Sequence, residues 1–81
     1  MKLPRDLTGP ELVKALERFG YTEIRQTGSH IRLETLENGQ HHVTVPHHKP
    51  LRIGTLASIL SDVATHFGLP RDEFLRRLLE Q

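Results

Sequence analysis

Leu12, Val13, Leu16 and Phe19 recur at helical spacing, with Lys14, Glu17 and Arg18 between them, so one face of this stretch is apolar. The helix start is written in Thr8-Gly9-Pro10-Glu11. The Thr8 hydroxyl can accept from the Glu11 amide while the Glu11 side chain reaches back, and Pro10 falls where helix amides have no partner. Gly20 then ends the helix as a left-handed cap. Beyond it the period shortens to two. Tyr21 to Gln26 reads as a first strand, followed by a turn at Thr27-Gly28. His30-Ile31-Arg32-Leu33-Glu34 alternates polar with apolar, and after Glu37-Asn38-Gly39 so does Gln40 to Pro46.

The register of the second hairpin follows from the same alternation. A two-residue Asn38-Gly39 loop would pair Leu33 with Thr44 and scatter the apolar residues over both faces. A three-residue loop, Glu37 to Gly39 with Gly39 left-handed, pairs Leu33 with Val43 and Ile31 with Val45, and burial selects it. The other face then carries His30, Arg32, Glu34, His42 and Thr44.

Helical spacing returns after the basic loop His47-His48-Lys49-Pro50-Leu51-Arg52. A helix is expected from near Gly54-Thr55 to Phe67, with Leu56, Ile59, Leu60, Val63, Ala64 and Phe67 on one stripe and Gly68 at its end. Pro70 opens a third helix with Phe74, Leu75, Leu78 and Leu79 inside. The fold class is therefore α+β, in the order α-β-β-β-α with an extra C-terminal helix. The helices should cover one face of a three-stranded antiparallel sheet and leave the other wet.

At 81 residues the chain makes a single domain over residues 1–81 with one small core. A net charge of +1 is too mild to announce nucleic acid by itself. The absence of cysteine excludes a disulfide framework and thiolate metal sites. Met1 to Asp6 lacks the apolar run of a signal peptide, and no segment approaches the ~20 apolar residues of a membrane span. A soluble cytoplasmic protein without membrane contact is expected.

Charge placement says more than its total. Five of the six histidines lie from His30 to His48, and no acidic residue occurs from Gln40 through Ser61. His30 follows the tight turn at Thr27-Gly28, flanked by Arg25 and Arg32. Lys49 and Arg52 lead into the free amides expected at Gly54 and Thr55, a natural anion site at a helix start. This combination suits a phosphodiester. An imidazole, with a reference pKa of about 6.5, can take a proton from an RNA 2′-hydroxyl near neutrality. The freed oxygen attacks its own phosphate without a metal or other cofactor. The proton donor is less plain. His42 lies about 13 Å along the strand from the point opposite His30, whereas His47 and His48 follow directly on that point; His48 is the choice.

Arg25-Gln26-Thr27-Gly28-Ser29-His30, then Val45-Pro46-His47-His48, then Gly54-Thr55-Leu56 with Ile59-Leu60, resemble the HicA (YcfA-like) toxins of bacterial toxin–antitoxin systems. The resemblance runs from the first helix to Phe74. It implies a double-stranded-RNA-binding-domain-like fold and an endoribonuclease (mRNA interferase) held inactive by a HicB-type antitoxin. The family's catalytic histidine falls on His30, and the histidine of its Val-Pro-x-His on His48. Arg25, Gly28, Ser29, Arg32, Lys49, Arg52, Gly54 and Thr55 are then the residues expected at the RNA.

Two other functions use the same features. A non-catalytic RNA-binding module would employ the basic face by shape and phosphate contact alone. A helix-turn-helix DNA binder is suggested by the last two helices, but its recognition helix would begin Arg71-Asp72-Glu73, bringing two carboxylates to the DNA. A metal site at His41, His42, His47 and His48 is disfavoured because adjacent strand residues face opposite sides. His66 reads as a charge at a helix C-terminus and nothing more.

Overall fold

The computed structural model describes residues 3–80; Met1, Lys2 and Gln81, at the ends of the expected domain, lie outside the described residues. The first helix, α1, is Gly9–Leu16, and the expected capping box forms in full. Thr8 Oγ1 accepts from Glu11 N at 3.2 Å, and Thr8 N donates to Glu11 Oε1 at 2.9 Å. The Thr8 backbone bond to the ionised carboxylate first, and the Thr8 side chain second, hold the Glu11 pKa below its ordinary value. The last turn, Glu17–Phe19, tightens to a 3-10 helix, and Gly20 closes it at φ +81°.

Three strands follow, β1 (Thr22–Thr27), β2 (His30–Thr35) and β3 (His41–Pro46), in the sheet order β1-β2-β3 with both pairs antiparallel. Leu33 pairs with Val43 and Ile31 with Val45, the register that core burial demands. The ladder stops at Thr35–His41, one pair short of the three-residue loop expected, and both Asn38 and Gly39 take left-handed conformations. The first strand begins one residue later than its pattern suggested: Tyr21 N donates back to Leu16 O at 3.3 Å, and the Tyr21 side chain is buried.

Helix α2 is Ile53–Phe67 and α3 is Arg71–Leu79, each beginning one residue away from the expected start. Leu12 and Leu16 of α1, Ile31, Leu33, Val43 and Val45 of the sheet, Leu56, Leu60 and Val63 of α2, and Phe74, Leu75 and Leu78 of α3 form one core. Phe19 anchors the far end, with ring centroids 5.0 Å from both Phe67 and Phe74.

The helices do not cover the whole sheet. They lie over β2 and β3, while every residue of β1 is exposed and Ile24 keeps 50% of its surface. The cause is compositional. On the helix side β1 offers Glu23 and Gln26, opposite Leu33 and Ile31, and a bulge between Glu23 and Arg25 sets Ile24 outside the ladder. A strand with nothing apolar to bury on that side leaves the helices nothing to cover.

Candidate active site

Cross-strand partners share a face, so the ladders sort the wet side of the sheet into rows. The first row is Thr27–His30–Pro46, the second Arg25–Arg32–Thr44, and the third Thr22–Glu34–His42. Successive rows are about 7 Å apart along the strand. Each row has its own chemistry.

His30 is delivered by a two-residue hairpin. Thr27 pairs directly with His30, leaving Gly28 and Ser29 as the turn, and Gly28 has φ +57° while Ser29 does not enter the left-handed region. That is the arrangement of a type II′ turn, which matches strand twist and asks for glycine first. On the other side His30 faces Pro46. His47 N donates to Ser29 O at 2.6 Å, so the ladder continues one residue past the strand. In this register Pro46 points its ring nitrogen away from β2, on the outer edge of the sheet, and its missing N–H costs no ladder bond.

Two arginines stand opposite each other in the second row. Arg32 donates from Nη1 to Thr44 Oγ1 at 2.9 Å, and among the described residues the Arg25 side chain makes no hydrogen bond or ion pair. Like charges directly opposite across strands are destabilising. Glu34, one row away, does not relieve them, because it accepts from Gln40 Nε2 and meets His42 Nε2, both at 2.8 Å. The Gln40 bond first and the His42 contact after it hold the Glu34 carboxyl below its usual range. His42 is thus committed to Glu34 and does not belong with His30.

The basic loop and the start of α2 lie beyond the sheet end that carries His30. His47, His48, Lys49 and Arg52 are exposed, and Leu51 is buried. Arg52 is the N-cap residue without a side-chain cap, and the first helical bond runs from Leu56 N to Arg52 O. The amides of Ile53, Gly54 and Thr55 therefore have no helical partner, as expected for an anion site. Among the described residues no hydrogen bond or ion pair joins Lys49, Arg52, Gly54 or Thr55 to His30. The structure brings Arg25, Gly28, Ser29, Arg32 and His30 together on the sheet and leaves the other four residues on the adjoining loop and helix.

The family model described as the HicA toxin of bacterial toxin–antitoxin systems matches residues 9–64, well over half of the chain. The chain belongs to the HicA toxin family. No curated protein and no solved structure matches it. A toxin of such a system has an antitoxin as its partner. The HicA match spans α1, all three strands and α2 up to Ala64, so it contains the rows, the loop and the helix start described above. α3 lies outside it.

One cluster on the buried side escaped the sequence reading. Tyr21 Oη and His41 Nδ1 are 2.7 Å apart, and His41 Nε2 lies 3.2 Å from Asp62 Oδ1. A carboxylate only accepts, so Nε2 carries the proton and Nδ1 accepts from the Tyr21 hydroxyl. Burial first, and the Asp62 charge second, push the Tyr21 pKa from 10.0 up to about 12. The His41 ring stacks on His66 with centroids 4.4 Å apart. His66 is accordingly more than a helix-end charge: its Nε2 donates to Glu37 O and Gly39 O, each at 3.0 Å, and ties α2 to the β2–β3 turn. The signal for these bonds is an inward position at His41, opposite Thr35, but no periodicity reveals which polar groups meet it. Among the described residues no group of three His, Cys, Asp or Glu side chains is placed to share a metal ion. No helix there is long and apolar enough to cross a membrane.

Proposed function

We propose that this HicA toxin is a metal-independent endoribonuclease acting on mRNA in the cytoplasm, with His30 as its general base. The observation that carries the reading is the first row, where an exposed imidazole sits on a fixed hairpin beside unneutralised arginines. His30 takes the proton of a ribose 2′-hydroxyl, and the 2′-oxygen attacks the adjacent phosphorus. The bond to the 5′-oxygen breaks, leaving a 2′,3′-cyclic phosphate and a 5′-hydroxyl. Arg25 and Arg32, about 7 Å from His30 along the strand, are suited to hold the neighbouring phosphate, which would also offset their mutual repulsion.

The 5′-oxygen needs a proton as it leaves. Strand alternation, carried past Pro46 by the His47–Ser29 bond, returns His48 rather than His47 to the side of His30. His48 is therefore assigned as the donor. Lys49, Arg52 and the amides at Gly54 and Thr55 extend the phosphate track away from the scissile bond. A HicB-type antitoxin inhibits by covering His30 or the approach to it.

The test uses paired oligonucleotides, one all RNA and one with a 2′-deoxy sugar at the cleaved position, in excess EDTA. The RNA is cut to a cyclic phosphate and the deoxy analogue binds uncut. No cleavage of any RNA leaves a non-catalytic RNA-binding module, and cleavage of the deoxy analogue rules out the 2′-hydroxyl mechanism.

A further inference from the structure

The first turn of α1 has a contact that helix formation does not require. A Cβ built on Gly9 would run into the Pro46 carbonyl oxygen, and it would lie 3.0 Å from the Pro46 carbonyl carbon and 3.1 Å from His47 Cα. All three are backbone atoms, so no flexible side chain can swing aside. Gly9 is not among the glycines with positive φ, so its backbone conformation does not call for glycine. Alanine would favour the helix by intrinsic propensity. What glycine supplies here is close approach.

That approach holds the loop of His47 and His48 from one side. Gly9 N donates to His48 O at 3.0 Å, and Leu51 N donates to Leu7 O at 2.8 Å. From the other side the Ser29 carbonyl accepts from His47 N, as described above. The loop is thus clamped between the start of α1 and the turn that delivers His30. We propose that Gly9 is a positioning residue: by admitting the loop backbone against α1, it sets where His48 stands relative to His30. This inference rests on the ribonuclease reading of the site and assigns a role to a helix that otherwise serves only the core.

The experiment compares Gly9→Ala with Thr8→Ala in the full chain. Thr8→Ala weakens the helix cap and lowers stability, but leaves the Gly9 approach open. Single-turnover cleavage of an RNA oligonucleotide, binding of its 2′-deoxy analogue, and the amide shifts of His47, His48 and Leu51 are read together. Misplacing a reacting group by about 1 Å can cost up to about 10²-fold, so Gly9→Ala should cut at least about tenfold more slowly. Its affinity for the deoxy analogue stays near wild type and its loop amides shift, while Thr8→Ala keeps both its rate and those amides. If Gly9→Ala does not fold, His47→Pro, which lacks the donor to Ser29, is compared with His47→Ala, which keeps it, and the proline variant should cut more slowly. Equal rates for Gly9→Ala and wild type, equal losses in Gly9→Ala and Thr8→Ala, or equal rates for the two His47 variants overturn the inference. A wild type that cuts no RNA overturns the ribonuclease reading instead.

Discussion

Raising the pH should destabilise this protein through one buried phenol, and Tyr21→Phe should abolish that part of the loss. Tyr21 is 1% exposed, and its pKa is pushed from 10.0 to about 12 by burial and by Asp62 beyond His41. The unfolded chain ionises its phenol near pH 10 while the folded chain does not. Stability is therefore fully present below pH 10 and falls as pH rises towards the folded value of about 12. Each unit of separation corresponds to about 1.4 kcal/mol, so two units amount to roughly 2.7 kcal/mol. For a chain of this length, with about 4–12 kcal/mol in total at 0.05–0.15 per residue, that is a large share. Tyr21→Phe should be less stable at pH 7 by about 1–3 kcal/mol, because His41 Nδ1 loses its donor. Urea unfolding of both proteins at intervals from pH 7 to pH 11.5 separates the effects, since lysines titrate alike in each. The difference in unfolding free energy should shrink steadily above pH 10. A difference that stays constant to pH 11.5 would refute the reasoning, because the phenol would then ionise alike folded and unfolded.

Three further outcomes follow from the site. Gly28→Ala should cost about 1–2 kcal/mol and lower the melting temperature by several degrees, from positive φ alone, because a Cβ there meets nothing within 4 Å. Arg25→Ala should weaken RNA binding and reduce its salt slope by about 0.7, as for one lost contact to a single strand, while thermal melting shows stability unchanged or slightly improved. Glu34 has a folded pKa below its ordinary 4.5, so its contribution is present above that value and disappears as pH falls through the folded one; acid unfolding of Glu34→Gln should show a shallower loss below pH 4.5 than wild type.

The parts of the fold that were legible are those where burial leaves one answer. The register of β2 against β3 followed from keeping Ile31, Leu33, Val43 and Val45 on one face, and the cap at Thr8 from the residues that make it. The exposure of β1 is not legible in the expectation of helices over one sheet face, because that expectation takes no account of how little this strand offers them to cover. The Tyr21–His41–Asp62 chain was hidden because it joins three elements far apart in sequence, and no local pattern records such a meeting. Within the candidate site, His30 and Arg32 could be placed from alternation alone, whereas the turn forms one residue later than its Thr27-Gly28 expectation, because Thr27 pairs with His30. The clamp of Gly9 on Pro46 could not, since a helix-start glycine looks the same whether or not another backbone lies against it.

The central claim is that His30 removes a proton during RNA cleavage, and His30→Ala tests it most directly. Wild type and variant are compared for single-turnover cleavage of one RNA and for binding of its 2′-deoxy analogue. General-base catalysis contributes about 10²–10⁴-fold, so the variant should lose nearly all cleavage while its binding changes little. A variant that cuts the RNA as fast as wild type would contradict the account.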